Sequence, residues 1–167
     1  MNVRPLSPDD LNDYRRIRLR ALRDHPENFG STYEQESRMT TEQWERRLSP
    51  SEDRISLGLY DGERLMGTAV LVREQRERMR HKANLYAMYV APEARGKGAG
   101  RLLLEELLKR AREMDGLEQI HLSVVSGNEP ARNLYRQFGF ITYGVEPRAE
   151  KIGDRALDVE WMVCFLT

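Results

Sequence analysis

Seven residues, Arg95-Gly96-Lys97-Gly98-Ala99-Gly100-Arg101, place three glycines and three cations at the opening of the most regular helical pattern in the chain. A helix N-terminus presents unpaired N–H groups and a partial positive charge, so it attracts anions. Glycines at 96, 98 and 100 carry no Cβ that would hold a phosphate away from those amides. A β-rich run precedes the turn, and strand, glycine turn and helix in that order suit a pyrophosphate. Two familiar phosphate loops do not match. A Walker loop ends in Gly-Lys-Ser/Thr after four spacer residues, and this segment does not. A dinucleotide fingerprint spaces its glycines as GxGxxG and closes the next strand with an acid. Here the third glycine comes one residue early, and the next strand ends in Val124-Val125.

A second segment begins at Leu122-Ser123-Val124-Val125-Ser126-Gly127-Asn128 and runs through Tyr135 to Phe138-Gly139-Phe140. Ala131, Leu134, Tyr135 and Phe138 recur at i, i+3, i+4 and i+7, which by periodicity alone makes Tyr135 a core residue. Asn128, just before Pro130, also reads as a helix cap. Other reactive side chains lack company. His25, His81 and His121 are scattered without metal-ligand spacing, so no metal is expected. Cys164 has no histidine near it in sequence and reads as a buried thiol. Residues 73–82 look basic but contain two acids between two strand candidates, which predicts a solvated hairpin loop; an acidic partner there, including nucleic acid, is the competing reading.

The elements that would position these groups follow from periodicity and punctuation. Asn2 to Leu6 is a short strand candidate. Ser7-Pro8-Asp9-Asp10 starts a helix on which Leu11, Tyr14, Ile17, Ala21 and Leu22 share a face, and His25-Pro26 ends it. Thr40 and Thr41 cap a short helix bearing Trp44 and Leu48. Residues 55–60 and 65–72 flank Asp61-Gly62, a hairpin turn. A third strand covers 83–90, a helix 98–114, a strand 119–125 and a helix 130–138. A closing hairpin joins 145–152 to 156–166 around Gly153-Asp154. The helix between 83–90 and 119–125 implies a parallel crossover. The prediction is an α/β (α+β) chain with a mixed, mostly antiparallel sheet of about seven strands and four helices on both faces.

Bulk properties bound the function. The chain has 167 residues, the size of a single domain spanning 1–167. Its 27 basic and 27 acidic residues cancel, which gives no support to a general nucleic-acid or membrane-surface role. No apolar run approaches the ~20 residues that span a bilayer, and Met1 to Asp10 has no apolar signal core. One cysteine fits a reducing compartment. A cytoplasmic protein is expected, with no membrane partner; a homodimer stays open.

Met88-Tyr89-Val90, the turn 95–100, Asn128, Tyr135 and Phe138-Gly139-Phe140 together resemble the GNAT superfamily of N-acetyltransferases. The resemblance implies a GNAT-like fold, acetyl-CoA as co-substrate and an amine as acceptor. It implies that the strand at Met88, Tyr89 and Val90 pairs with the pantetheine arm. The turn of Arg95, Gly96, Lys97, Gly98, Ala99, Gly100 and Arg101 would hold the pyrophosphate. Asn128 would lie near the arm, and Tyr135 would face the sulfur as general acid, a role suited to a phenol of pKa ~10. The acceptor would enter against 28–40 and the final hairpin, with Phe29, Tyr33 and Glu34 as candidate contacts. A small-molecule amine is the first reading and a peptide or protein amine the second. A coenzyme A-binding module without catalysis is the rival from another class. The general base is not evident: residues 85–90 offer no carboxylate, Ser123 stands where some relatives have Glu, and Glu34, Glu36 or a water chain are the options.

Overall fold

The computed structural model describes residues 1–167. Strands β1 (Asn2–Pro5), β2 (Arg54–Asp61), β3 (Arg64–Arg73), β4 (Lys82–Val90), β5 (Gln119–Val125), β6 (Ile141–Ile152) and β7 (Arg155–Phe165) form one sheet. Their spatial order is β1-β2-β3-β4-β5-β7-β6. Every neighbouring pair is antiparallel except β4 and β5. The helices are α1 (Leu11–Asp24), α2 (Tyr33–Ser37), α3 (Thr41–Leu48), α4 (Ala99–Arg112) and α5 (Glu129–Gln137). Five helices stand where four were expected. The extra one, α2, is too short to show periodicity, but Thr32 caps it by accepting from the Gln35 N–H at 3.1 Å. Strand β6 also starts earlier than expected, at Ile141, as an edge strand whose Ile141, Tyr143 and Val145 stay exposed.

Alternation along β3 assigns its two faces. A Cβ on Gly67 would meet Leu103 of α4 at 3.1 Å, so Gly67, Ala69 and Leu71 face α4. The even residues Val70 and Val72 line a cavity with Tyr14 and Arg18 of α1 and Arg47 of α3. Helix α4 buries Ala99, Leu103, Leu104, Leu107, Leu108 and Ala111, the stripe its sequence spacing requires. Helix α1 buries Tyr14, Ile17, Ala21 and Leu22.

Two irregularities decide where a ligand fits. The parallel pairing of β4 with β5 covers only Lys82–Asn84 against Gln119–His121. Beyond it the strands separate, and both unpaired stretches line the cavity. On its other side β4 carries a bulge. Thr68 pairs with Tyr89 and Val70 with Tyr86, so Ala87 and Met88 together oppose Ala69. Ala87 sits at φ 51°, a left-handed conformation that a non-glycine residue adopts at a cost. Residues 73–82 form the expected hairpin loop, closed by the Arg73 guanidinium donating to the Arg80 carbonyl and by an Arg80–Asp53 ion pair at 2.8 Å. No helix is long and apolar enough to cross a membrane.

Candidate active site

The space between the separated strands belongs to a cavity of about 1020 Å³. One part of its wall is built by the second half of β4, the turn before α4, and α5. Gly96 and Gly98 have φ of 76° and 78°, and a Cβ on either would meet nothing within 4 Å. Their lack of a side chain permits the left-handed turn and leaves the backbone open. Gly98 is the N-cap of α4, with no side-chain cap and no acid in the first turn. The leading N–H groups of α4 are thus free for an anion. Gly100 lines the cavity too, and a Cβ there would meet Leu134 Cδ2 at 3.0 Å. It permits close packing of α4 on α5.

Arg95 and Arg101 line the cavity, and Lys97 does not. Arg95 is oriented by donating from Nε to the Val90 carbonyl at 3.0 Å, and Arg101 by donating to Gln137 at 2.6 Å. Met88, Tyr89 and Val90 all line the space. Asn128 caps α5 through its Oδ1, which accepts from the Ala131 N–H at 3.4 Å. That leaves its amide NH₂ for the cavity, so cap and ligand contact are compatible. Tyr135 is buried, with its ring 5.7 Å from that of Phe140, yet it lines the cavity. Burial raises its pKa above the usual value. Tyr135 is therefore a neutral phenol and a hydrogen-bond donor at physiological pH.

The other part of the wall comes from α1, α2, α3 and β2–β4. Glu36 is 2% exposed and accepts from Arg18 Nε at 3.0 Å, Arg18 Nη2 at 2.9 Å and Arg47 Nη1 at 2.6 Å. Burial by itself would raise its pKa, but hydrogen bonds and charge from Arg18, with Arg47, pull it down to about 2. Glu36 is the only carboxylate in the lining and does not fit the base role considered for it. Of the three acceptor candidates, Phe29 lines the cavity. Tyr33 and Glu34 line a second, smaller depression beside Glu150 and Lys151. Residues two apart on a helix point to nearly opposite sides, so turning Glu36 inward turns Glu34 outward.

Sequence reasoning missed Arg18, Arg47, Arg54 and Thr68. One signal was present: Arg18 lies four residues after Tyr14, beside the apolar stripe of α1, where an unpaired charge would be costly.

The profile of the Acetyltransferase (GNAT) family matches residues 16–140. The chain belongs to the GNAT family. Among solved GNAT structures, an acetyltransferase from Streptococcus pneumoniae superposes with a TM-score of 0.88 at 25% identity, covering 99% of both chains. Among curated relatives, an L-methionine sulfoximine/L-methionine sulfone acetyltransferase of Pseudomonas aeruginosa is 36% identical over 77 residues, 46% of this chain and 44% of that protein. A mycothiol acetyltransferase of Brachybacterium faecium is 30% identical over 139 residues, 82% of this chain and 40% of that protein. The match thus spans less than half the length of these curated relatives. The GNAT profile ends at Phe140 and so contains the glycine turn, both separated strands, Asn128 and Tyr135.

Proposed function

We propose that this GNAT protein moves the acetyl group of acetyl-CoA to the amine of a small molecule, by direct attack in a ternary complex. The observation that carries this reading is the cleft between the separated ends of β4 and β5, with the uncapped glycine turn and Tyr135 in one wall. The residues fit the co-substrate. The free amides of α4 and the open space at Gly96 and Gly98 suit a pyrophosphate, flanked by Arg95 and Arg101. The exposed backbone of Ala87 to Val90 suits an arm that carries amides. Acetyl-CoA supplies an activated acyl thioester and a thiol leaving group.

The chain's own residues orient and discharge that chemistry. The acceptor reacts as a free amine: its nitrogen forms the new bond to the carbonyl carbon as the carbon–sulfur bond breaks, and the proton it gives up passes to solvent, which reprotonates Tyr135 once the thiol has left. Tyr135 donates its hydroxyl hydrogen bond, and then its proton, to the departing sulfur. No covalent enzyme intermediate is needed, and Cys164, buried in β7, takes no part. The relatives named above are, by their names, an L-methionine sulfoximine/L-methionine sulfone acetyltransferase and a mycothiol acetyltransferase, which supports a small acceptor. The test is thiol release from acetyl-CoA across a panel of amines and peptides. Release that never exceeds the acceptor-free rate would sink the proposal.

A further inference from the structure

The wall opposite the glycine turn has a charge pattern that an ordinary amine does not explain. Arg18, Arg47 and Arg54 face it with Glu36 as the only acid, so two positive charges are in excess. An acceptor amine arrives largely as an ammonium ion, which such a wall repels unless the same molecule brings negative charge. The arginines also hold unused donors. Each guanidinium has five N–H groups. Arg18 spends two nitrogens on Glu36, and its Nη1 is buried without a partner. Arg47 gives one nitrogen to Glu36, and Arg54 gives one to the Arg47 carbonyl at 3.2 Å. That contact couples Arg54, on the sheet, to α3. Arg54 is opposite Val72 in the β2–β3 register, and Val70, one row on, is opposite Tyr86, so the sheet surface here is continuous.

We propose that the acceptor is an amine that also carries a carboxylate, as a free amino acid does. Arg54 and Arg47 take the carboxylate with their unspent donors, and Arg18 adds charge behind them. Guanidinium groups suit this because their planar forks match a carboxylate. Glu36 has the complementary role of a positioning residue: it fixes Arg18 and Arg47 and neutralises one of the charges. The inference rests on amine acetylation as proposed above and narrows its substrate class.

The test compares each amino acid with its own α-carboxamide, which keeps the amine and side chain but removes the charge. Thiol release from acetyl-CoA is measured for both. The amide loses its ammonium proton more readily, so intrinsic reactivity favours it. A kcat/KM at least about tenfold higher for the acid therefore reports recognition, on the scale of a charge-assisted hydrogen bond. Arg54→Gln should bring the acid-to-amide ratio near one while acetyl-CoA affinity holds, and Arg54→Lys should restore part of it. Amides turned over as fast as acids would overturn the inference and leave acetyl transfer standing, pointing to a peptide-like amine. A ratio unchanged in folded Arg54→Gln would remove Arg54 from the assignment. Turnover of no amine at all sinks the transfer reading instead. The carboxylate site is then read from melting temperatures with each amino acid or amide in excess, and equal shifts for both overturn it.

Discussion

The buried Thr68 hydroxyl donates a 2.8 Å hydrogen bond to the carbonyl oxygen of Ala87, the positive-φ residue of the β4 bulge. The bond joins adjacent strands at the point where the ladder is broken. It gives the Ala87 carbonyl a side-chain donor from β3, and so ties the bulged backbone of Ala87 and Met88 to the neighbouring strand. Thr68→Val keeps the shape and removes the donor. It is expected to cost about 1–3 kcal/mol in stability, the penalty for an unsatisfied buried carbonyl. Acetyl-CoA affinity should fall as well, because the bulge is no longer fixed. Denaturant melts and calorimetry on the folded variant check both. Unchanged stability would mean the bulge needs no such tie.

Gly98→Val tests the anion site. At φ 78° the valine is strained even though the space around its Cβ is empty. A stability loss of about 1–2 kcal/mol is therefore expected from backbone conformation alone. Acetyl-CoA should raise the melting temperature of the wild-type protein, and adenosine should not. In the variant the acetyl-CoA shift should shrink by more than the loss in baseline stability explains. An undiminished shift would place the phosphate elsewhere.

Tyr135→Phe separates packing from chemistry. The ring stays against Phe140, so stability should change little. If the phenol protonates the leaving sulfur, the single-turnover rate should fall by ~10²-fold or more. Acetyl-CoA affinity should hold, since the interaction grows only as charge develops on sulfur. Because burial raises this pKa, ionisation of Tyr135 should not limit the rate at any pH below 10. A fully active variant would remove Tyr135 from the mechanism.

Glu36 makes the opposite prediction, of structure without proton transfer. Glu36→Gln leaves Arg18 and Arg47 facing each other without a counter-charge. The expected cost is about 3–5 kcal/mol at neutral pH, the scale for breaking one side of a buried ion pair. Its folded pKa lies below the unfolded value of 4.5, at about 2, so the carboxylate's contribution is present above pH 4.5 and fades as pH falls toward 2. The stability gap between wild type and variant should therefore narrow across that window. Denaturation series at pH 7, 4 and 3 measure it. A gap that widens on acidification would contradict the ion-pair assignment. The pH–rate profile between 5 and 8 should show no inflection from this group.

The elements that hold the site were legible because their signals are local. The stripe of α4, the terminators at His25 and Gly139, and the hairpins at Gly62 and Gly153 are near-neighbour patterns. So were the glycine turn and the Asn128–Tyr135 spacing, since all their parts lie within a few residues or one helix. Helix α2 and the first residues of β6 were not. One is too short for a period to appear, and the other has a register shift between Thr142 and Gly144 that breaks its alternation.

By itself, the sequence determined the seven strands and every helix but α2, the glycine turn that opens α4, and which family pattern the chain carries. Only the tertiary structure decided that β4 and β5 part after three paired residues, and that a hydroxyl nineteen positions away holds the bulge. It also turned Glu36 from a candidate base into the shared partner of Arg18 and Arg47, and set Arg54 beside them. The reason lies in the range of the forces. Periodicity and capping act over one or two turns of chain, whereas strand register, desolvation and the charge felt by a buried carboxylate are set by neighbours far away in sequence.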